Sequence, residues 1–309
     1  MLLTVFTPTY NRANLLPRLF ASLKNQSCYD FEWLIVDDAS TDDTETVTAQ
    51  FLKENTPFAI RYLKQKHGGK HRAVNYAAKQ AAGEYFFIVD SDDWLPENAV
   101  ELLSGWLQEI RGVPGLCGVA GQKMFPDGAA VGETFKSLKP IDATSLEAKR
   151  LHISGDKAEV VSTAVMREHP FPEFDGEYFA TEDICWNAIA ADGYQLRWFH
   201  EPIYYCEYLE DGLSRTGANE LSGHIANFQG YSYYVRQSMR VKTHLERYRD
   251  FADFQKACDA IGLSEKERAE ALQWTEGRFR WNRKVVMPLV RNIKRVIYVT
   301  GKIRKLLPD

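Results

Sequence analysis

The chain is predicted to be an α/β protein in which a mixed, mostly parallel sheet is flanked by helices and followed by a helical C-terminal extension. Three observations predict this. Short apolar runs alternate with stretches of helical period over the first ninety or so residues, joined by brief connections, the signature of βαβ units. Several of those runs end in polar or acidic clusters, where strands of such sheets meet ligands. After about Leu221 the pattern turns wholly helical.

Leu2 to Phe6 reads as the first strand, ended by Thr7-Pro8-Thr9-Tyr10-Asn11-Arg12. Leu15, Leu16, Leu19, Phe20 and Leu23 then recur at helical spacing. Phe31 to Val36 is the second strand, running into Asp37-Asp38-Ala39-Ser40-Thr41-Asp42, with Ser40 or Thr41 as N-cap of a helix carrying Val47 and Phe51. Ile60 to Leu63 and Arg72 to Ala82 are the third strand and helix. Glu84 to Val89, aromatic and β-branched, is a buried strand leading into Asp90-Ser91-Asp92-Asp93. The second half is less regular: strands at Leu116–Ala120, Val160–Met166, Leu196–Phe199 and Ile203–Tyr208, a hairpin turn at Asp127-Gly128, and a helix over Glu182–Ala191.

Composition sets the frame. With 309 residues, 45% hydrophobic and 13% aromatic, the chain can bury a large core, and disorder is not expected. The expected organisation is a domain over 1–215, divided at 110/111 into two parts, and a helical region over 216–309. Five scattered cysteines show no metal or redox spacing, so reduced thiols are expected. Met1 leads straight into an apolar strand, so no leader peptide is expected, and no window reaches the roughly 18 apolar residues of a membrane span. Net charge is −4, yet from Arg278 onward ten basic residues face Asp309 alone. On a helical wheel over Val285–Leu307, Lys284, Arg291, Lys294, Arg295, Lys302 and Lys305 share one arc, opposite an apolar one. Such a helix suits an anionic membrane surface, or it packs on its own domain with a solvated face.

The chemistry concentrates at strand ends. Asp90, Asp92 and Asp93 repel one another with no basic neighbour in sequence. A hard divalent cation relieves that repulsion, keeping waters and sharing its shell with phosphates. The plainer alternative is a strand-to-helix turn in which Ser91 or Asp92 caps a helix entering at Pro96-Glu97. If these loops converge at one sheet edge, Tyr10 can stack on a base and Asp38 can accept an imide N–H. Asp92 can hold the metal, Lys70 after Gly68-Gly69 can reach a phosphate, and Asp183 is left as a base.

The run Thr4-Val5-Phe6-Thr7-Pro8-Thr9-Tyr10-Asn11-Arg12, then Val36-Asp37-Asp38-Ala39-Ser40-Thr41-Asp42, Gly68-Gly69-Lys70-His71-Arg72-Ala73-Val74-Asn75, Gly83-Glu84-Tyr85, Asp90-Ser91-Asp92-Asp93 and Glu182-Asp183 resembles the family-2 inverting glycosyltransferases of the GT-A (Rossmann-like) fold, over about residues 1 to 215. The resemblance implies a nucleotide-binding part at 1–110 and an acceptor-binding part at 111–215. It implies nucleotide contacts at Pro8, Thr9, Tyr10 and Asp38, with Arg12 nearby. It implies that Asp90, Ser91 and Asp92 are the DxD element, with Asp92 a ligand of Mn²⁺ or Mg²⁺, and that Asp183 is the catalytic base. It further implies a phosphate contact at Arg215, in Gly212-Leu213-Ser214-Arg215, and His224 as the residue that completes the metal shell. His67 stands where the family often has Asn.

The implied activity is transfer of a sugar from a UDP-sugar to a glycan, on a lipid carrier, in bacterial capsule, O-antigen or exopolysaccharide synthesis. The expected location is the cytoplasmic face of the inner membrane, held peripherally by the basic tail, with no nucleic-acid partner. A nucleotidyltransferase is the rival enzyme, but the loop after the first strand lacks its glycine-rich signature. A catalytically inactive, membrane-docked nucleotide-sugar-binding module is the non-enzymatic rival; it has no need to keep Asp90, Asp92 and Asp183 together.

Overall fold

The structure, a computed structural model, describes residues 1–133, 139–153, 155–207, 220–286 and 288. The chain divides into two compact units, Met1–Glu173 with Tyr178–Arg215, and Phe174–Glu177 with Thr216–Asp309.

The first unit is built on a mixed sheet in the order β3-β2-β1-β4-β7-β5-β8-β6. Its strands are β1 (Leu3–Thr9), β2 (Phe31–Asp37), β3 (Ala59–Lys64), β4 (Tyr85–Ile88), β5 (Leu116–Met124), β6 (Ile141–Ala143), β7 (Lys157–Ser162) and β8 (Gln195–Tyr205). The β3-β2-β1-β4 block is parallel, β7 runs antiparallel to both β4 and β5, β5 pairs parallel with β8, and β6 runs antiparallel to β8. Every residue of β1 and β2 is buried, as strands covered on both faces require. Helix α1 (Leu16–Lys24) lays Leu16, Leu19, Phe20 and Leu23 on this core, with Phe20 stacked 5.6 Å from Trp33. Further helices are α2 (Thr44–Phe51), α3 (Lys70–Gln80), α4 (Ala99–Ile110), α5 (Ser145–Ala148), α6 (Thr163–Glu168) and α7 (Asp183–Ala191).

The element predictions hold with specific corrections. The strand expected over Val160–Met166 stops at Ser162, which pairs with Tyr85, the first residue of β4; the Thr163 amide still donates to the Glu84 carbonyl at 2.9 Å, and the chain then turns into α6. Leu196–Phe199 and Ile203–Tyr208 are one strand, not two. Between Ala120 and Gln122 β5 advances two residues while β8 advances four, so a bulge at His200–Pro202 accounts for the apparent break. The N-cap of α2 is Asp43, because Asn11 Oδ1 takes the amides of Thr41 (2.8 Å) and Asp42 (3.3 Å) and ties that segment down as a loop. Neither Ser91 nor Asp92 caps α4: its N-cap is Asn98, and residues 90–94 form a tight turn and a bridge to Tyr205. The turn at Asp127-Gly128 is present, with Asp127 Oδ1 accepting the Ala129 amide at 2.9 Å. β6 carried no sequence signal; three residues are too few for a period.

The second unit packs α8 (Leu221–Ala226), α9 (Phe228–Val241), α10 (His244–Ala260), α11 (Glu265–Ala271) and α12 (Glu276–Trp281) around Val235, Phe251, Phe254, Cys258, Leu272 and Phe279. The Glu177 carboxylate accepts the Gln229 and Gly230 amides at 2.7 and 2.8 Å, an anion at the start of α9. Among the described residues no helix is long and apolar enough to cross a membrane. The basic stretch expected over Val285–Leu307 lies, apart from its first residues, outside the described ones, as does Arg215.

Candidate active site

β1, β2 and β4 are parallel, so the segments that leave their carboxyl ends meet at one rim of the sheet. At the end of β1, Pro8 and Thr9 are buried, and the Thr9 hydroxyl makes no hydrogen bond among the described residues. Tyr10 is half-exposed. Asn11 takes φ of 53°, a left-handed conformation that Asn tolerates, and its amide donates to Ser40 Oγ at 2.9 Å. Ala39 is also left-handed, at φ 66°, directly after Asp38; non-glycine strain of this kind gathers at functional loops.

Asp37 and Asp38 divide the work at the end of β2. Asp37 is fully buried; it accepts the Ser40 amide at 2.8 Å and the Tyr62 hydroxyl at 2.5 Å. Asp38 organises the next loop: its carboxylate accepts Gln65 Nε2 at 2.7 Å and the Gly68 and Gly69 amides at 2.8 Å each, and lies 2.9 Å from His67 Nδ1. It therefore places an anion at the N-terminus of α3, which is why that helix begins at Lys70, two residues before its expected start. Gly69 sits at φ 91°, where a Cβ would stand 1.9 Å from the Tyr178 carbonyl oxygen. The His67 ring is stacked between Tyr10 (4.6 Å) and Tyr178 (4.9 Å).

Lys70, the first residue of α3, joins the fourth-strand loop to the start of α7. Its Nζ lies 2.6 Å from Asp90 Oδ1 and 2.7 Å from Glu182 Oε1, so carboxylates ninety-two positions apart in sequence meet on one ammonium. Burial opposes the lysine's charge, but Asp90 and Glu182 outweigh it and hold its pKa above the ordinary value. The Asp90 carboxyl is held low in turn: burial works against it, and Lys70 and Lys123 win. Asp92 and Asp93 are pushed the other way, by burial and then by the charge of Asp90, Asp93 to about 7. Ser91, between Asp90 and Asp92, is buried.

The loop carrying these acids is fastened from several sides. The Asp90 amide donates to the Tyr204 hydroxyl at 3.0 Å, and that hydroxyl donates to Asp93 Oδ2 at 2.7 Å. The Glu207 amide donates to Asp93 Oδ1 at 3.3 Å, and Trp94 exchanges backbone bonds with Tyr205. Arg18, from α1, donates to the Asp92 carbonyl, pairs with Glu207 at 2.7 Å and lies 4.0 Å above the Trp94 ring. The Arg12 guanidinium is close enough to Asp92 to favour its charged form.

Asp183 opens α7 immediately after Glu182, with Lys149 Nζ at 3.7 Å. Lys123 of β5 and Glu159 of β7 extend the charged cluster beneath. Burial drives the Glu159 carboxyl up to about 8 against the pull of Lys123, with Glu182 and Asp156 adding to the rise. Sequence reasoning missed Lys123, Glu159, Tyr204 and Arg18; a charge inside a strand was the available signal for the first two. His224 belongs to the second unit, where its ring stacks on Tyr231 at 3.7 Å and burial lowers its pKa. Among the described residues no group of three or more His, Cys, Asp or Glu is arranged to hold a metal ion by itself.

Comparison with known proteins adds the following. Residues 4–124 match the model of glycosyl transferase family 2. The chain is 27% identical over 190 residues to the GalNAc(5)-diNAcBac-PP-undecaprenol β-1,3-glucosyltransferase of Campylobacter jejuni, a match covering 60% of this chain and 58% of that protein. The stretch shared with other curated relatives is as little as 10% of their length. Among solved structures, S. aureus TarS in complex with UDP-GlcNAc superposes with a TM-score of 0.61 at 18% identity, over 94% of this chain and 92% of that one. The mannosyltransferase PcManGT from Pyrobaculum calidifontis, in complex with GDP-Man and Mn²⁺, gives 0.52 at 18%, over 97% and 86%. Likeness at this identity shows the fold, a GT-A sheet with its flanking helices.

Proposed function

We propose that the chain, whose residues 4–124 match the model of glycosyl transferase family 2, is an inverting, metal-assisted glycosyltransferase that moves a sugar from a UDP-sugar to a glycan acceptor. The observation that carries this reading is the Lys70 bridge, which brings the neighbours of Asp92 and Asp183 onto one ammonium. A metal-binding loop and a base that stand this close can serve the two ends of one displacement.

The residues fit a divalent cation. Asp90 already has a cation in Lys70, whereas Asp92 is a partly buried carboxylate whose charge Asp90 disfavours, so Asp92 gains from an ion brought from outside. A hard carboxylate oxygen suits Mg²⁺ or Mn²⁺, and phosphate oxygens and water would complete the shell. When bound there, the ion neutralises charge on the departing diphosphate.

The protein's own groups do the rest. Tyr10 offers a ring face for the base, and the buried Thr9 hydroxyl is a spare polar group beside it. Arg12 adds positive charge near the diphosphate. Asp183 accepts the proton of the acceptor hydroxyl as that oxygen attacks the anomeric carbon from the side opposite the leaving group, which inverts the configuration. UDP as the nucleotide is supported by the TarS complex, and a lipid-linked acceptor by the undecaprenol-linked substrate in the name of the Campylobacter relative. The role fits bacterial surface-polysaccharide synthesis at the cytoplasmic face of the membrane, with the basic tail at the lipid surface.

The test is Asp183→Asn assayed beside wild type. Loss of a general base costs roughly 10²–10⁴-fold in turnover, and UDP affinity should stay unchanged. Wild-type turnover in that variant would remove Asp183 from the mechanism.

A further inference from the structure

Arg18 breaks a local rule. It lies in the first turn of α1, where the helix dipole disfavours a cation and where no acidic residue is present to offset it. Sequences break such rules where another demand outweighs the local one. Here the demand is visible. One planar guanidinium donates to the Asp92 carbonyl, pairs with Glu207 at 2.7 Å and covers the Trp94 ring at 4.0 Å.

The neighbours of Asp92 are held by other elements: Asp90 and Asp93 by Tyr204, Asp93 also by the Glu207 amide, and Trp94 by Tyr205. The hold on the Asp92 peptide comes from α1, through Arg18. A fork that donates in two directions while stacking on an indole is a task for arginine, which lysine's single ammonium cannot perform.

We infer that Arg18 is a positioning residue for the cation site: by fixing the backbone of Asp92 it aims that carboxylate, and so sets the affinity of the Asp90–Asp93 loop for a divalent metal. This rests on the metal reading above. Arg18 has no contact with the Asp92 carboxylate itself in this arrangement; its side-chain charge is directed to Glu207. The effect therefore works through orientation. Groups that orient a metal ligand from behind are commonly worth 10–100-fold in affinity.

The experiment is a Mn²⁺ titration of the full chain with UDP present, read by the electron paramagnetic resonance signal of free Mn²⁺, for wild type, Arg18→Met, Arg18→Lys and Glu207→Gln. The expected result is a roughly 10–100-fold weaker Mn²⁺ affinity for Arg18→Met, a loss for Arg18→Lys as well, and unchanged UDP binding in metal-free buffer for both. Glu207→Gln, which leaves α1 intact, should weaken Mn²⁺ by a smaller factor. It decides the matter, with Arg18→Lys, should Arg18→Met fail to fold. Wild-type Mn²⁺ affinity in a folded Arg18 variant overturns the inference. A wild-type protein that takes up no Mn²⁺ yet releases UDP from a UDP-sugar in EDTA overturns it too. In that case it is the metal reading that has failed, while glycosyl transfer stands.

Discussion

Lys70 and Gly69 show how closely chain geometry and chemistry are tied at this rim. Gly69 lets the backbone pass beneath Tyr178 at φ 91° and delivers Lys70 to the two carboxylates. Gly69→Ala should destabilise the first unit by more than the about 1–3 kcal/mol of a disfavoured backbone conformation, because the new methyl also meets a carbonyl oxygen at 1.9 Å. Urea unfolding of the variant checks this; an unchanged midpoint would mean the loop has room to shift. Lys70→Met leaves Asp90 and Glu182 facing each other without their shared cation, and should lower turnover more than Lys70→Arg, as steady-state kinetics can show. Asp90, Asp92 and Asp183 were legible as candidates because carboxylates stand at a strand end and a helix start. Arg18 was not, since its meaning lies in Asp92, Trp94 and Glu207, the last 189 positions away. For Asp38, the sequence suggested a contact with a base. The structure has its carboxylate accepting from Gln65, Gly68 and Gly69, a role set by tertiary contacts that no local pattern encodes.

β7 and β5 carry charge into the sheet, and this has a pH signature. Burial raises the Glu159 carboxyl from 4.5 to about 8. Between those values the folded protein holds a proton that the unfolded chain releases. Stability should therefore fall as pH rises through that window. Glu159→Gln should flatten the decline in the thermal midpoint over the same range, and an equally steep decline in the variant would assign the slope to other groups. The parallel elements were easier to anticipate than these. β1, β2 and β4 are mostly apolar runs, β2 and β4 with acidic ends, whereas β8 hides its continuity behind a bulge at Pro202 and β6 has only three residues. Residues 163–166 are apolar enough for a strand, yet the pairing with β4 ends at Ser162 and they form α6.

At the scale of the molecule, the first unit holds the rim on which the chemistry depends, and the second has its own apolar core of Phe251, Phe254 and Phe279. The basic C-terminal stretch belongs to the question of where the protein works. Each Lys or Arg near an anionic lipid surface contributes about 1 kcal/mol. Replacing Lys294, Arg295, Lys302 and Lys305 by Gln should therefore reduce binding to phosphatidylserine vesicles by roughly a thousandfold, measured by cosedimentation at fixed ionic strength. Unaltered binding would place the membrane contact elsewhere or nowhere.

The most direct measurement is UDP release from a panel of UDP-sugars, with and without EDTA. A charge about 4 Å from the leaving group is worth about 4 kcal/mol at an effective dielectric near 20, close to a thousandfold in rate. The account predicts release from at least one UDP-sugar, loss of nearly all of it in EDTA, and recovery with added Mn²⁺. Full-rate release in EDTA, or no release from any member of the panel, would contradict it.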